Sequence, residues 1–119
     1  MVKVLGVVGS PRLGGNTEIM VREALAAAAE QGAEIEFIHL AEKSISPCEG
    51  CFTCEETGKC KIEDDMQEIY AKLEEADAII LGTPVYFANV TAQAKAFMDR
   101  TYCLYRKRRL RGKVAAAIA

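Results

Sequence analysis

Short apolar runs recur along this chain, each separated from the next by a stretch with helical spacing, and this alternation restricts the fold more than any other feature. Lys3 to Val8 (KVLGVV) closes at Gly9, Ala78 to Leu81 (AIIL) closes at Gly82-Thr83-Pro84, and Lys113 to Ala119 (KVAAAIA) ends the sequence. The first two runs fit strands buried on both faces, and the last reads as a fourth strand. Glu34 to Leu40 (EIEFIHL) mostly alternates instead, which predicts a strand with one wetter face, at a sheet edge. Between them, Asn16 or Thr17 caps a predicted helix that runs to about Gln31 and ends at Gly32. Asp64 with Gln67 resembles a capping box, followed by Met66, Ile69, Tyr70 and Leu73 at helical spacing. A third helix is predicted from about Thr91 to Tyr102. Strands that alternate with helices need crossover connections, so they form a parallel sheet with helices on both faces. Ligands of such sheets bind at the carboxyl ends of the strands, where the strand order reverses.

The chain has 119 residues, half of them hydrophobic, enough for one domain with its own core, residues 1–119. No apolar run approaches the roughly 20 residues needed to cross a membrane, and the first residues do not read as a basic-then-apolar signal peptide, so none is expected. A cytoplasmic setting is therefore expected, in which the five cysteines stay reduced. The net charge of −2 is unevenly spread: Arg106, Lys107, Arg108, Arg109 and Arg111 form a basic stripe, and the rest carries −7. Such a stripe reads either as a solvated loop or as a dock for an acidic partner or a phosphate. One stripe without interleaved aromatics on an acidic chain speaks against nucleic-acid binding.

Residues 44–61 carry four cysteines and little periodicity, so an inserted loop is expected there. Cys48, Cys51, Cys54 and Cys60 form C-x2-C-x2-C-x5-C, with Gly50 and Gly58 freeing the backbone to wrap. Three thiolates at three-residue intervals can converge on corners of a cube, with the fourth arriving after a turn, which suits a [4Fe–4S] cluster. A structural zinc site or a thiol redox switch uses the same residue types. Cys103, alone in a helical stretch, reads as a core thiol.

Two strand-exit loops remain. Gly9 to Thr17 offers short donors in Ser10, Asn16 and Thr17, glycines at 14 and 15, a basic Arg12 and a helix N-terminus, which together have the chemistry of a phosphate cradle. An ordinary strand-to-helix turn would use the same glycines and asparagine. The spacing is neither a Walker A loop nor GxGxxG. The second loop, Thr83-Pro84-Val85-Tyr86-Phe87-Ala88-Asn89, places two aromatics at a strand exit, either packed over the sheet end or free to meet a flat ring system.

Gly9-Ser10-Pro11-Arg12 with Gly15-Asn16-Thr17, the four-cysteine loop, and Thr83-Pro84-Val85-Tyr86 with Ala92-Gln93-Ala94-Lys95 together resemble the archaeal and anaerobic iron–sulfur flavoproteins. These belong to the NADPH-dependent FMN reductase group of the flavodoxin-like fold. The resemblance implies a doubly wound α/β/α sandwich with strand order 2-1-3-4(-5). It implies FMN phosphate held by Ser10, Arg12, Gly15, Asn16 and Thr17. Thr83, Pro84, Val85, Tyr86, Phe87 and Asn89 would line the flavin ring, and Cys48, Cys51, Cys54 and Cys60 would carry a [4Fe–4S] cluster. It also implies dimers or tetramers, and electron transfer from a ferredoxin-like donor to a two-electron acceptor, with no general acid or base. Family members continue past the fourth strand, so the fifth strand is expected to be missing here: either the chain is a fragment or truncated product, or its open edge is covered by another chain.

Glu49, Glu55, Glu56, Glu63, Asp64 and Asp65 surround the cysteines, and their charge would favour a low-potential cluster. Among single residues, His39 reads as structural, Phe97, Met98 and Tyr102 as core or subunit contacts, and Lys95 and Arg100 as solvent-facing. Two other classes fit the same residues: a cluster-free NAD(P)H-dependent FMN or quinone reductase, and a non-catalytic assembly subunit.

Overall fold

The computed structural model describes all 119 residues. Its elements are β1 (Lys3–Val8), α1 (Asn16–Glu30), β2 (Glu34–His39), a short 3-10 turn (Leu40–Glu42), α2 (Thr53–Thr57), α3 (Met66–Glu75), β3 (Ala78–Gly82), α4 (Ala92–Arg100), α5 (Tyr102–Arg106) and β4 (Val114–Ile118). The strands form one parallel sheet in the order β2-β1-β3-β4. Helices cover both faces, so the flavodoxin-like order expected for the four strands present is the order observed.

Alternation along β1 sends its side chains to two separate cores. Val4 and Val8 meet Val21 and Leu25 of α1. Leu5 and Val7 meet the larger core built from α3, α4 and α5, with Met66, Ile69, Leu73, Phe97 and Leu104 among its members. Gly6 lets α1 sit close, since a Cβ there would lie 2.7 Å from Leu25 Cδ1 and 2.8 Å from Val21 Cγ1. β2 is an outer strand, as its alternation predicts, with Ile35 exposed and Ile38 buried, and β4 is the other, largely exposed.

Several local expectations need correction. Gly15, not Asn16 or Thr17, stands at the cap of α1, and no side chain caps that helix. The Asp64/Gln67 capping box is not reciprocal. Asp64 Oδ1 accepts from the Met66 amide at 3.0 Å, but Gln67 Nε2 donates to the Cys60 and Ile62 carbonyls at 3.1 and 2.7 Å. The cysteine segment is not all loop, because α2 forms within it and stops at Gly58, whose φ of 76° is left-handed. The helix predicted from Thr91 to Tyr102 breaks at Thr101, whose hydroxyl bonds back to the Met98 carbonyl at 2.6 Å, and α5 starts beyond it.

Arg100 departs furthest from expectation. It is buried to 2% exposure, not solvent-facing. Helical spacing places it on the same side as Ala94 and Phe97, and the carboxylate of Asp64 waits inside. Lys95 is exposed as expected and pairs with Asp99.

Candidate functional site

Three long segments, residues 9–15, 43–65 and 83–91, follow the carboxyl ends of strands β1, β2 and β3, the second after the short 3-10 turn. The strand order reverses between β1 and β3, which puts the first and third loops side by side at the switch point.

These two loops are joined through backbone. The Gly9 amide donates to the Gly82 carbonyl at 2.7 Å, and Thr91 Oγ1 donates to the Gly9 carbonyl. Thr91 also accepts from the Ala94 amide at 3.0 Å, so the residue that caps α4 ties the helix to the first loop. Neither Gly9 nor Gly82 has room for a side chain. A Cβ on Gly9 would lie 2.7 Å from Ala94 Cβ, and one on Gly82 would lie 2.5 Å from Val21 Cγ2 and 3.0 Å from Thr17 Cγ2.

Within the first loop, buried Ser10 accepts from the Arg12 amide at 3.0 Å, which leaves its own O–H free to donate. The amides of Asn16, Thr17 and Glu18 have no partner in the chain, in contrast to the capped N-terminus of α4. Uncapped N–H groups, the Ser10 hydroxyl and an exposed Arg12 side chain form a donor set that suits a phosphate dianion.

Two residues behind this loop shape it. Glu18 accepts from the Gly14 amide at 2.8 Å and pairs with Arg22 at 2.9 Å. The Gly14 amide, then Arg22, hold its carboxyl below the ordinary glutamate value. His39 is buried, as a structural histidine should be. Its Nδ1 accepts from the Ala41 amide at 3.2 Å, which leaves Nε2–H to donate to the Arg12 carbonyl at 3.1 Å, with Glu18 Oε1 at 3.3 Å.

The aromatic loop does not pack over the sheet end. Tyr86 and Asn89 exchange backbone hydrogen bonds at 2.8 and 3.1 Å across a two-residue turn. Phe87 and Ala88 both take left-handed φ, 46° and 64°, where glycine or asparagine is usual. Phe87 is fully exposed at 103% and Tyr86 half-exposed. A strained turn that displays apolar rings to solvent is the kind of feature found at ligand sites.

All four loop cysteines line one cavity of about 660 Å³, together with Phe52, Met98, Tyr102 and Tyr105 among others. All are free thiols. Cys48 and Cys51 are exposed, while Cys54 is half-buried in α2 and burial pushes its thiol up from the ordinary value. The Thr53 hydroxyl and amide lower Cys51. No three His, Cys, Asp or Glu side chains approach closely enough to ligate a metal as they stand. The expected convergence of thiolates is therefore present as a shared cavity and not as a formed coordination sphere. In donor chemistry, four soft thiols around one space fit an iron–sulfur group.

Much of the charge around this loop is already paired. Glu49 faces Lys61 at 3.7 Å, Glu55 accepts from Tyr102 at 2.7 Å and faces Arg106 at 3.6 Å, and Asp64 is held by Arg100. The basic stripe is only partly a solvated loop. Arg109 reaches the Glu74 carboxylate at 3.0 Å and donates to the Gly58 carbonyl, and Lys107 packs over Gly58.

Sequence reading placed the two strand-exit loops and the cysteines but missed Glu18, Thr91, Arg100 and Arg109. Thr91 had a local signal, a cap residue ahead of a helical run. Glu18 had one too, with Gly14 four residues before it and Arg22 four after, whereas Arg100 had only its helical spacing with Ala94 and Phe97, because its partner Asp64 lies on another element.

Residues 2–119 match the family described as NADPH-dependent FMN reductase. The chain is 56% identical over 118 residues to an iron–sulfur flavoprotein of Methanocaldococcus jannaschii, covering 99% of this chain and 61% of that protein. It is 42% identical over 119 residues to an iron–sulfur flavoprotein of Methanosarcina thermophila, covering 99% of this chain and 62% of the relative. It thus spans about three fifths of the length of these relatives. Among solved structures it resembles RosB bound to 8-demethyl-8-formylriboflavin-5′-phosphate, with a TM-score of 0.73 at 19% identity over 98% of this chain and 51% of the other. An apo NADH:FMN oxidoreductase gives a TM-score of 0.68 at 23% identity, over 97% and 56%. At those identities the structures bear on the fold alone, and it is the flavodoxin-like one. No helix is long and apolar enough to cross a membrane. The full-length family match and the close relatives show that the chain belongs to the NADPH-dependent FMN reductase family.

Proposed function

We propose that this chain is the FMN- and cluster-bearing part of an iron–sulfur flavoprotein, an oxidoreductase that passes electrons from a ferredoxin-like donor to a two-electron acceptor. The observation that carries the reading is the gathering of four free thiols on one cavity, at the same sheet end as an uncapped, donor-rich loop. In this reading Ser10, Arg12, Gly15, Asn16 and Thr17 take the FMN phosphate. Thr83, Pro84, Val85, Tyr86, Phe87 and Asn89 flank the ring, and Cys48, Cys51, Cys54 and Cys60 ligate a [4Fe–4S] cluster.

Bound there, a flavin exchanges one or two electrons and a cluster one at a time, so the pair can interconvert the two kinds of carrier. The chain's own groups do the rest. Uncapped amides and the Ser10 hydroxyl neutralise phosphate charge, and Thr91 fixes the spacing of the two strand-exit loops. Phe87 and Tyr86 present apolar area to a ring, while Tyr102 and Phe52 line the cysteine cavity with aromatic rings. No side chain in the crevice is assigned to proton transfer.

The solvent-facing remainder of the basic stripe, Lys107, Arg108 and Arg111, is the patch offered to an acidic donor, and a homo-oligomer is the expected assembly. Reduction by such a donor should slow steeply as salt rises.

Anaerobic purification with an absorption spectrum tests the proposal. Flavin bands with a broad shoulder that disappears in Cys54→Ala support it. A yellow protein without iron would transfer the reading to a cluster-free FMN or quinone reductase, and a colourless one to an assembly subunit.

A further inference from the structure

We propose that Arg100 and Asp64 form a buried latch that closes the neck of the cysteine loop and fixes it to α4, making Arg100 a positioning residue for the thiols. This rests on the cluster reading only for what the thiols hold. The latch itself stands on the geometry of the chain.

The Arg100 side chain is fully enclosed and that of Asp64 is 8% exposed. Arg100 grips the carboxylate with two nitrogens, Nη1 to Oδ2 at 2.7 Å and Nη2 to Oδ1 at 3.0 Å. The same Nη1 donates to the Ser46 carbonyl at 2.8 Å, and the Ser46 amide donates to Asp64 Oδ2 at 2.8 Å. Ser46 precedes the first loop cysteine and Asp64 follows the last, so one closed ring of hydrogen bonds joins the two ends of the loop. A second rung lies outside it, with the Ser44 amide on Asp65 Oδ2 at 2.6 Å and the Asp65 amide on the Ser44 carbonyl at 3.1 Å. From Arg100 the chain runs back along α4 to Thr91, which bonds the Gly9 carbonyl at the other site. Helix α4 therefore has one end on the strand-exit loops and the other on the cysteine neck.

Stability alone is a poor account of this pair. Desolvating two charges cancels most of their attraction, and apolar residues of similar size commonly serve as well. Arg100 even keeps a buried Nε with no partner. What an apolar pair cannot supply is directional hydrogen bonding to both backbone groups of Ser46, which fixes where the loop begins and ends relative to α4. Tyr70 supports the arrangement from below, donating to the Arg100 carbonyl at 2.6 Å.

The test compares wild type, Arg100→Lys, and the double variant Arg100→Met/Asp64→Leu, which leaves no lone buried charge and is expected to fold. Amide exchange is followed in the metal-free proteins, and cluster retention is followed after anaerobic loading with iron and sulfide and challenge with a chelator. In the double variant, amides of residues 44–65 should exchange about tenfold faster while those of α1 are unchanged. Iron should leave about tenfold faster, with an altered cluster spectrum, and Arg100→Lys should restore part of both. A folded double variant with wild-type exchange and wild-type iron retention would overturn the latch. Wild type that takes up no iron would instead sink the cluster reading and leave the exchange arm to judge the latch.

Discussion

The two sites leave the same end of one sheet but are held in place by opposite means. The strand-exit crevice is fixed by backbone bonds and close approach, with Gly9 and Gly82 lying where no side chain fits and Thr91 bridging to the Gly9 carbonyl. The cysteine loop has little core of its own and is held by long charged side chains, Arg100 at its neck and Arg109 at Gly58. A crevice built from backbone tolerates little change in shape. A loop held by side chains can change shape but depends on charge.

The largest expected effect tests that dependence on charge. Replacing Asp64 with alanine leaves the Arg100 guanidinium buried and unpaired, and should cost about 3–5 kcal/mol in urea unfolding. The pH dependence follows from the same pair. Hydrogen bonding to Arg100 lowers the Asp64 carboxyl from its ordinary value. The native state thus binds that proton less readily than the unfolded chain, so the stabilisation is full above the unfolded value of about 3.9. It is lost as the pH falls below that point through the lower native value. In Asp64→Asn this acid-dependent component should be absent, and a wild-type-like loss of urea midpoint below pH ~4 in that variant would contradict the assignment.

Shape is tested next. Gly82→Ala pushes a methyl group into Val21 and Thr17, and should cost about 1–3 kcal/mol and weaken FMN binding, because Thr17 lies on the loop proposed to hold the phosphate. A smaller loss, about 1–2 kcal/mol, is expected for Thr91→Val, which keeps the volume but removes both the α4 cap and the bond to Gly9. Thermal unfolding of both variants, compared with Asp64→Ala, ranks the two modes of support. If the crevice variants outrank the ion-pair variant, the contrast is wrong.

The same contrast explains how much of the molecule was legible in the sequence. β1, buried on both faces, and half-buried β3 could be read because each is a local apolar run, and the exit loops follow from where the strands stop. The cysteines could be read from spacing. Arg100 could not, because a cation three residues beyond Phe97 looks like a solvated helix face until Asp64 is brought under it by a different element. Gln67 misled in a similar way, since its amide holds the Cys60 and Ile62 carbonyls in place of closing a capping box. Side chains that act across long sequence separations leave no periodic trace, and the cysteine loop is supported mostly by such contacts.

The smallest effect is expected behind the first strand-exit loop, where both modes of support meet at Glu18. Its carboxylate orders the loop by accepting from Gly14, yet its negative charge lies next to the loop proposed to hold a phosphate. Gly14 and Arg22 lower that carboxyl, so it is ionised throughout the neutral range and the repulsion does not titrate away there. Glu18→Gln keeps an acceptor for Gly14 and removes the charge, so FMN should bind up to about threefold more tightly at low salt, with the gain shrinking as salt is added. Glu18→Ala removes the acceptor as well and frees Gly14, whose φ of 72° then has only the backbone to hold it, so binding should weaken. Opposite signs for the two substitutions in a fluorescence titration would separate loop order from charge. Equal losses would mean that the carboxylate, rather than its hydrogen bond, positions the loop.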